Sequence, residues 1–280
     1  MKPTLSVVIP TLNEANKIGS VLDFLDGISA VEVIVADGGS SDDTIATITK
    51  YPSVTVVHSA PGRGVQLNQG ASVAKGEILW FLHADSAVPE GWEKSIREAL
   101  SSANVVAGCF RLSFDYDHWL LSVFSFCSRW NHPLVTYGDQ GYFLKRAVFE
   151  RIGGFRDFPI LEDLEIQCRL RRLGMWMKLD LFLTTSARRF KVQGILRQQL
   201  KNIGIVTLFL AGASPFWLRR FYLPQFQLKP EDQSLSLKPT ALNESVRSKG
   251  RFTRFPFSWS SWKASFSVMV TILSFKPRAR

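Results

Sequence analysis

Cysteine is scarce in this chain. Cys109, Cys127 and Cys168 are the three cysteines among 280 residues, and none of them lies in the C-x-x-C spacing of a structural zinc site. An odd cysteine count does not make a disulfide framework, so the sequence excludes a small secreted scaffold held together by disulfide bonds. We expect three reduced thiols and a cytoplasmic protein.

Long hydrophobic runs and a signal peptide are also lacking. The longest uncharged run, residues 202–218, has 17 residues and contains Asn, Ser and Pro, which places it at the lower limit for a membrane span. Over residues 1–17, Pro10, Asn13 and Glu14 interrupt the apolar stretch, which a signal peptide would not show. A helix that lies on a membrane or packs in the core explains residues 202–218 better than one that crosses a bilayer.

Acidic residues are outnumbered, with 24 Asp and Glu against 34 Lys and Arg and a net charge of +10. Residues 223–280 carry ten basic and three acidic residues, so this segment holds +7 and the preceding 222 residues hold +3. The segment is also rich in Ser and Pro and shows no regular period. We predict a folded domain over residues 1–222 and a poorly ordered basic tail over residues 223–280. A solvated tail is the simpler explanation, although such a tail also attracts phosphates or anionic lipid.

Two glycine-rich phosphate-binding motifs are missing. The first predicted strand is followed by PTLNEAN rather than G-x-G-x-x-G, and G-x-x-x-x-G-K-[ST] does not occur in the sequence. The sequence therefore excludes a nucleotide site of the dehydrogenase type and one of the P-loop type.

Short apolar runs alternate with helical patterns in the first 100 residues. The runs are rich in β-branched and aromatic residues and predict strands over residues 5–10, 31–36, 54–58 and 77–82. Hydrophobic strands that alternate with helices indicate a mainly parallel sheet covered on both faces. Further along, the patterns predict strands over 104–114 and 139–146, and a helix from Glu162 to Gly174.

Each of the first four strands is followed by groups that suit a ligand. These groups are Glu14, Asp37, Arg63, and His83 with Asp85. Parallel α/β sheets bind ligands at the carboxyl ends of their strands, so we expect one site at this edge. A lone carboxylate such as Asp85 suits Mg²⁺ or Mn²⁺, which take one or two protein carboxylates together with substrate phosphates. His83 is a softer ligand that Mn²⁺ accepts, or a hydrogen-bonding group for a ribose or phosphate.

Four ordered motifs resemble family 2 glycosyltransferases of GT-A fold, over about residues 4–222. They are VVIPTLNE, ADGGSSDDT, GRGVQLNQGASVAKGEILWFLHADS and ILEDLEIQCRLRRLG. The likeness is closest to a bacterial subgroup with HAD where most members have D-x-D, and which also carries GDQG (138–141) and G-G-F (153–155). The resemblance implies an α/β fold with a Rossmann-like, mixed but mainly parallel sheet flanked by helices, followed by C-terminal helices.

The resemblance also implies roles for individual residues at the donor side. Pro10, Leu12 and Glu14 match the loop that lies against the nucleoside of a UDP- or GDP-sugar. Asp37 matches the residue that reads the base, and Arg63 the basic group that approaches the donor. Asp85 matches the metal-binding end of D-x-D and implies Mg²⁺ or Mn²⁺, whereas His83 departs from that motif.

At the acceptor side, the resemblance assigns Glu162 and Asp163 to the catalytic E-D pair, with Asp163 as the base, and places Asp139 and Gln140 beside the acceptor. The Q-x-x-R-W signature of processive members is absent, which favours single addition. The implied reaction is a metal-dependent, inverting transfer of one sugar to a hydroxyl or carboxyl, on a lipid or carotenoid-like acceptor, with no nucleic-acid partner. The apolar segments 118–130 and 204–222 have basic ends, as in helices that touch the inner face of the cell membrane. Core packing explains them nearly as well.

Two other functions stay open from the sequence. A sugar nucleotidyltransferase would need a Gly-rich, basic loop after the first strand, where this chain has TLNE. A non-enzymatic protein would bind nucleic acid or anionic membranes through the basic, aromatic-containing tail.

Overall fold

The computed structural model of the protein describes residues 4–222. The predicted basic tail, residues 223–280, lies outside the described residues, so the predicted division of the chain stays a prediction. The described strands are β1 (Leu5–Thr11), β2 (Val31–Asp37), β3 (Thr55–His58), β4 (Ile78–Phe81), β5 (Val105–Phe114), β6 (Tyr142–Lys145) and β7 (Met175–Thr185). The described helices are α1 (Ala15–Leu25), α2 (Thr44–Ile48), α3 (Arg63–Val73), α4 (Trp92–Ser101), α5 (Trp119–Cys127), α6 (Arg146–Arg151), α7 (Glu162–Leu170), α8 (Arg188–Gln193), α9 (Ile195–Leu210) and α10 (Pro215–Tyr222).

The strands form a single seven-stranded sheet within the described residues, in the order β3-β2-β1-β4-β6-β5-β7. Strands β1 to β4 are parallel, and β6 runs antiparallel to β4 and β5. The predicted mixed, mainly parallel sheet is therefore confirmed. The strand predicted over 139–146 is shorter than expected, because residues Gly138–Gln140 form a 3₁₀ turn and pairing begins at Tyr142. The predicted helix from Glu162 ends at Leu170, and β7 was not predicted.

Helices cover both faces of the sheet because its central strands are apolar on both sides. Leu5, Val7 and Ile9 of β1 pack with α1 and α4 in one core cluster, whereas Val8 packs with α3 and α7 in the other. Stacking of Trp80 on Trp92 closes the first cluster, with ring centroids 4.4 Å apart. The three cysteines are buried free thiols, as the sequence predicts.

A third apolar cluster attaches the C-terminal helices to the sheet domain. It joins α7, α9 and α10 through Ile160, Leu164, Cys168, Ile205, Val206, Phe209 and Leu218. Across residues 4–222, none of the helices is both long and apolar enough to pass through a bilayer.

Candidate active site

Loops from three neighbouring strands meet at the carboxyl edge of the parallel strands. Thr11 at the end of β1 pairs with Asp37 at the end of β2, and Val8 pairs with Phe81 at the end of β4. The antiparallel β6 starts at the same edge, because Tyr142 pairs with Phe81. The segment just before β6 therefore lies beside the loop that follows β4.

Asp37 organises the loop that follows β2. Its side chain is 2% exposed and accepts hydrogen bonds from the Thr11 hydroxyl, from the Ser40 hydroxyl and from the backbone N–H groups of Gly39 and Ser40. Burial acts to raise the pKa of Asp37, but these hydrogen bonds outweigh it and hold the pKa below its ordinary value. Asp37 is thus a charged carboxylate fixed at the edge of the sheet.

The loop after β1 is tied to the loop after β2. Asn13 has a φ of 56°, and its side-chain Oδ1 accepts from the backbone N–H of Ser41 at 2.8 Å. The backbone N–H of Glu14 donates to the Thr44 hydroxyl at 2.9 Å. Leu12 directly precedes these two residues and is 44% exposed, while Pro10 is half-buried. The exposed apolar side chain and the two fixed loops form a surface on which a flat ring can lie.

Gln66 of α3 holds these two strand ends together from below. Its buried Nε2 donates to the backbone carbonyls of Thr11 at 2.6 Å and Ala36 at 2.9 Å. The sequence reasoning did not select Gln66, since a glutamine inside a helical pattern carries no local signal of such contacts.

Arg63 lies against the two candidate catalytic carboxylates. Its Nε forms an ion pair with Oε1 of Glu162, and its Nη2 lies 3.5 Å from Oδ2 of Asp163. Burial acts to lower the pKa of Arg63, but the negative charges of Glu162 and Asp163 outweigh burial and raise the pKa above its ordinary value. The guanidinium therefore stays charged. Burial raises the pKa of Glu162 although Arg63 opposes it. The structure brings Arg63 to the acidic pair predicted from the sequence.

Asp163 is oriented by the start of its own helix and by the GDQG segment. Its Oδ1 accepts from the backbone N–H of Leu164 at 2.8 Å, and its Oδ2 accepts from the backbone N–H of Gly138 at 2.7 Å. A Cβ atom at Gly138 would lie 3.0 Å from that Oδ2, so the close approach suits glycine. Asp163 therefore has a fixed orientation at the edge where β6 begins.

Asp85 and Glu14 extend this acidic region toward β1. Burial raises the pKa of both carboxyl groups, and the negative charge of Asp85 raises that of Glu14 further. Arg188, at the start of α8, lies 3.3 Å from Glu14 Oε1 and lowers both pKa values. Oε2 of Glu14 is buried and has no hydrogen-bond partner.

Asp139 lies between Asp85 and Asp163. Burial raises its pKa to about 7, and the charges of Asp163 and Asp85 contribute to the rise, while Arg63 and Lys178 oppose it. Its Oδ1 is buried and has no hydrogen-bond partner. The acidic region therefore runs from Glu14 through Asp85 and Asp139 to Asp163, and cationic side chains act on its carboxyl groups, namely Arg63, Lys178, Arg188 and Arg189.

His83 and Gln140 have different surroundings from the carboxylates. Burial lowers the pKa of His83 to about 3, with Arg63 and Arg189 adding to the effect, so its imidazole is neutral at physiological pH. The Gln140 side chain donates to the carbonyl of Val135 at 2.9 Å and accepts from the Nζ of Lys178. Gln140 thus anchors the turn that carries Asp139, and its role at the acceptor stays a prediction.

Three basic residues near the site were missed in the sequence. Arg188 and Arg189 follow β7 and reach the same edge as Glu14 and Asp85, and Lys178 lies within β7. The composition of residues 175–185 does not predict a strand, so no candidate groups are expected at its carboxyl end. The signal that could have found them is the Arg188–Arg189 pair shortly after the short apolar stretch LFL (181–183).

The donor set at this edge fits a divalent cation. Asp85 and Asp139 offer carboxylate oxygens, and Oδ1 of Asp139 is buried without a hydrogen-bond partner. Among the described residues, no three His, Cys, Asp or Glu side chains are grouped closely enough to hold a metal ion by themselves. One or two carboxylates with the remaining ligands from phosphate oxygens is the way in which Mg²⁺ and its analogues bind in many transferase sites.

Comparisons with known proteins agree with this fold. The glucosyl-3-phosphoglycerate synthase of Mycolicibacterium paratuberculosis is 34% identical over 98 residues, which cover 31% of this chain and 30% of that protein. The probable glycosyltransferase YdaM of Bacillus subtilis is 25% identical over 200 residues, covering 61% of this chain and 47% of that protein. The match thus spans about a third to a half of the length of these relatives.

A solved structure shares the fold at lower identity. The mannosyltransferase of Pyrobaculum calidifontis, in complex with GDP-Man and Mn²⁺, superposes with a TM-score of 0.56 at 19% identity, covering 97% of this chain and 81% of that one. This likeness confirms the predicted GT-A type fold. The sequence profile of glycosyl transferase family 2 matches residues 6–156, which are more than half of the chain and include the loops after the first four strands. The chain belongs to glycosyl transferase family 2.

Proposed function

We propose that the protein transfers one sugar from a nucleotide-sugar donor to an acceptor hydroxyl or carboxyl, with inversion at the anomeric carbon. The observation that carries this proposal is the continuous acidic region from Glu14 to Asp163 at the carboxyl edge of the sheet, with Arg63 at one end and Arg188 at the other. A sugar diphosphate presents phosphate oxygens and an electrophilic carbon, which require this combination of cations and carboxylates.

The donor occupies the loops after β1 and β2. Leu12 supplies an exposed apolar surface for the nucleobase beside Pro10, and the buried Asp37 carboxylate fixes the loop after β2 against which the nucleobase lies. Neutral His83 hydrogen-bonds the ribose or phosphate without adding charge. Family membership supports a nucleoside diphosphate sugar, with UDP and GDP as the two nucleotides to test.

Asp163 acts as the base. The backbone N–H groups of Gly138 and Leu164, together with the Arg63 guanidinium, hold its carboxylate in one orientation, so an acceptor O–H that reaches it finds a fixed proton acceptor. As the acceptor oxygen forms a bond to the anomeric carbon, the bond from that carbon to the diphosphate breaks, and the acceptor proton passes to Asp163. Base catalysis of this kind is worth about 10²–10⁴-fold in rate. Glu162 positions Arg63 through their ion pair.

Asp85 would hold Mg²⁺ or Mn²⁺ together with the donor diphosphate. Asp139, which the resemblance places beside the acceptor, is assigned to the same ion because its buried Oδ1 has no hydrogen-bond partner. When bound, the ion neutralises the charge that develops on the leaving nucleoside diphosphate. The carboxylates themselves fix where the diphosphate lies relative to Asp163, because Asp139 belongs to the same turn as Gly138, which contacts Asp163.

The acceptor is an alcohol or acid with an apolar body, such as a lipid or carotenoid-like molecule. Exposed aromatic side chains of α5, namely Trp119 and Phe126, support an apolar acceptor. Nothing in the described residues favours a nucleotidyltransferase, whose basic glycine-rich loop is replaced here by residues 11–14. A binding function of the tail falls on residues outside the description.

The test separates the base from the metal-binding carboxylate. Asp163→Asn should lower kcat by about 10²–10⁴-fold while nucleoside diphosphate with Mn²⁺ still raises the melting temperature. Asp85→Asn should abolish that Mn²⁺-dependent stabilisation as well as transfer. Glu98→Gln, an exposed carboxylate on α4, is the matched control and should behave as wild type. Full transfer activity in both Asp variants would overturn the proposal.

A further inference from the structure

The C-terminal helices of the described chain have an unusual charge. Residues 186–222 contain no Asp or Glu and seven basic residues: Arg188, Arg189, Lys191, Arg197, Lys201, Arg219 and Arg220. Residues 1–185 contain 17 basic and 21 acidic residues, so they carry a net charge of −4. The positive charge of the folded part of the chain is thus concentrated on α8, α9 and α10.

Helix α9 presents an apolar stripe to solvent as well as to the core. Ile205, Val206 and Phe209 are buried in the third cluster. On the opposite side three leucines are exposed: Leu196 by 51%, Leu200 by 55% and Leu208 by 45%. Leu200 lies four residues after Leu196 and Leu208 lies eight residues after Leu200, with Gly204 between them, so the three leucines share one broad side of the helix.

Helix α10 has the same two-sided character. Leu218 is buried in the cluster that holds α9, while Phe216, Trp217 and Phe221 are about half exposed. The rings of Trp217 and Phe221 contact each other with centroids 4.8 Å apart. Helices α9 and α10 bury their inner faces in the same cluster and are joined by residues 211–214, so the two helices adjoin each other.

Helix α5 extends this side with aromatic residues. Eleven of the sixteen exposed large hydrophobic side chains in the described chain lie on or beside α5 and on α8 to α10. Phe190 of α8 packs on Phe114 and Phe124, and Lys191 lies 4.4 Å from the ring centre of Tyr116. We call these exposed residues of α5 and α8 to α10 the docking surface.

Charge decides which occupant covers the docking surface. A second copy of the chain related by a two-fold axis would bring the same cations face to face. Residues 223–280 also carry +7, so they repel this surface as well. An anionic lipid bilayer offers both an apolar interior for the Leu, Phe and Trp side chains and negative headgroups for the Lys and Arg side chains.

We propose that the docking surface binds the protein to an anionic lipid bilayer, with α9 and α10 lying in the plane of the headgroups. The apolar stripe inserts at the boundary between headgroups and acyl chains, and the basic side chains extend to the phosphates. Helix α8 begins with Arg188, which contacts Glu14, so the binding places the carboxyl edge of the sheet next to the membrane. This inference does not rest on the proposed transfer reaction.

The experiment measures binding of the full chain to vesicles by co-sedimentation. Wild type should bind vesicles of equal parts phosphatidylcholine and phosphatidylglycerol at least about tenfold more tightly than vesicles of phosphatidylcholine alone. Two variants test the two components: Leu196→Gln with Leu200→Gln and Leu208→Gln removes the apolar stripe, and Lys191→Gln with Arg197→Gln removes two cations. Each should weaken binding to the anionic vesicles by about tenfold or more.

The matched control is Phe24→Gln with Leu173→Gln, which removes two hydrophobic residues of similar exposure elsewhere on the surface. It should bind as wild type does, and all variants should keep the wild-type melting temperature because the replaced side chains are exposed. Absence of vesicle binding by wild type overturns the proposal. Undiminished binding by both surface variants also overturns it and moves the contact to residues 223–280. A dimer in sedimentation analysis that the leucine variant dissociates, without vesicle binding, replaces the membrane by a second copy.

Discussion

Arg63, the first residue of α3, forms an ion pair with Glu162, the first residue of α7, across 99 positions of sequence. The same guanidinium faces Asp163, so one cation balances two neighbouring carboxylates in a mostly buried place. Removing one partner of such a group leaves uncompensated charge, which costs far more than the net worth of the interaction.

We therefore expect Arg63→Met to be severely harmful. It should destabilise the protein by about 1–3 kcal/mol in urea unfolding at neutral pH, because the Glu162 side chain that loses its partner is buried although the Arg63 side chain is 37% exposed. Lys94→Met, which removes an i,i+4 pair with Glu98 between two exposed side chains of α4, is the control and should cost less than about 1 kcal/mol. Equal effects of the two substitutions would show that the Arg63 pair does not hold α3 to α7.

The raised pKa of Asp139 makes the stability of the folded protein depend on pH. Its pKa is about 7 in the folded protein against an ordinary value of 3.8, so between these values the folded protein binds a proton that the unfolded chain has lost. Stability therefore falls as the pH rises from about 4 to about 7, and the cost is fully present above that window.

Asp139→Asn should remove this cost. Without metal or donor, the variant should be more stable than wild type at pH 8 by at most about 4 kcal/mol, since each pKa unit is worth about 1.4 kcal/mol. The difference should vanish near pH 4, where the wild-type side chain is also neutral. Urea unfolding across this pH range measures it, with the exposed Asp117→Asn as control. A constant difference at every pH would rule out the ionisation of Asp139 as its cause.

Asn68 connects α3 to the segment that leads to α7 through two hydrogen bonds. Its side-chain amide donates to the carbonyl of Phe155 at 2.8 Å and accepts from the N–H of Phe155 at 2.9 Å. Asn68→Ala breaks both hydrogen bonds and should destabilise the protein by about 1–3 kcal/mol. Gln69→Ala, at the exposed neighbouring position on the same helix, should change stability by less than about 0.5 kcal/mol. Thermal unfolding measures the loss of stability in each variant. If Asn68→Ala destabilises the protein as little as Gln69→Ala does, Asn68 does not hold the segment that leads to α7.

The sequence predicted the part of the fold and site that local pattern determines. Strands β1 to β5 are short apolar runs, and the polar groups that follow them could be placed at one edge because parallel strands end together. For Asp37 and Asp85 this placement needed no knowledge of distant contacts. The pairing of Arg63 with Glu162 requires knowledge of such distant contacts, since nothing in the sequence spacing of α3 and α7 fixes how the two helices pack.

Strand β7 shows why the rest could not be predicted. Its burial pattern is irregular, with Met175 and Asp180 exposed and most other residues only partly buried. It also contains Lys178, so it lacks the continuous apolar run of the central strands. Its position beside β5 is fixed by pairing across the sheet rather than by its own composition. Because β7 is not predicted, the contact between Arg188 and Glu14, which are 174 positions apart, is not predicted either.

Lys178 holds the turn that precedes β6. Its Nζ donates to Oε1 of Gln140 and, at 3.1 Å, to the hydroxyl of Thr136. Both partners are buried, and burial lowers the pKa of Lys178. Through Gln140 the ammonium group holds the turn in which Gly138 contacts Asp163, so Lys178 is a positioning residue for the proposed base.

Lys178→Met should lower kcat about tenfold or more, while KM for the donor stays within about twofold, because about 1.4 kcal/mol of lost alignment corresponds to a tenfold change in rate. Lys178→Arg keeps the charge and the donors and should recover part of the loss. Lys75→Met, an exposed lysine between α3 and β4, is the control and should leave both constants unchanged. Steady-state kinetics with the identified donor separates kcat from KM. A loss of stability in Lys178→Met with kcat preserved in the folded fraction would reduce Lys178 to a structural role.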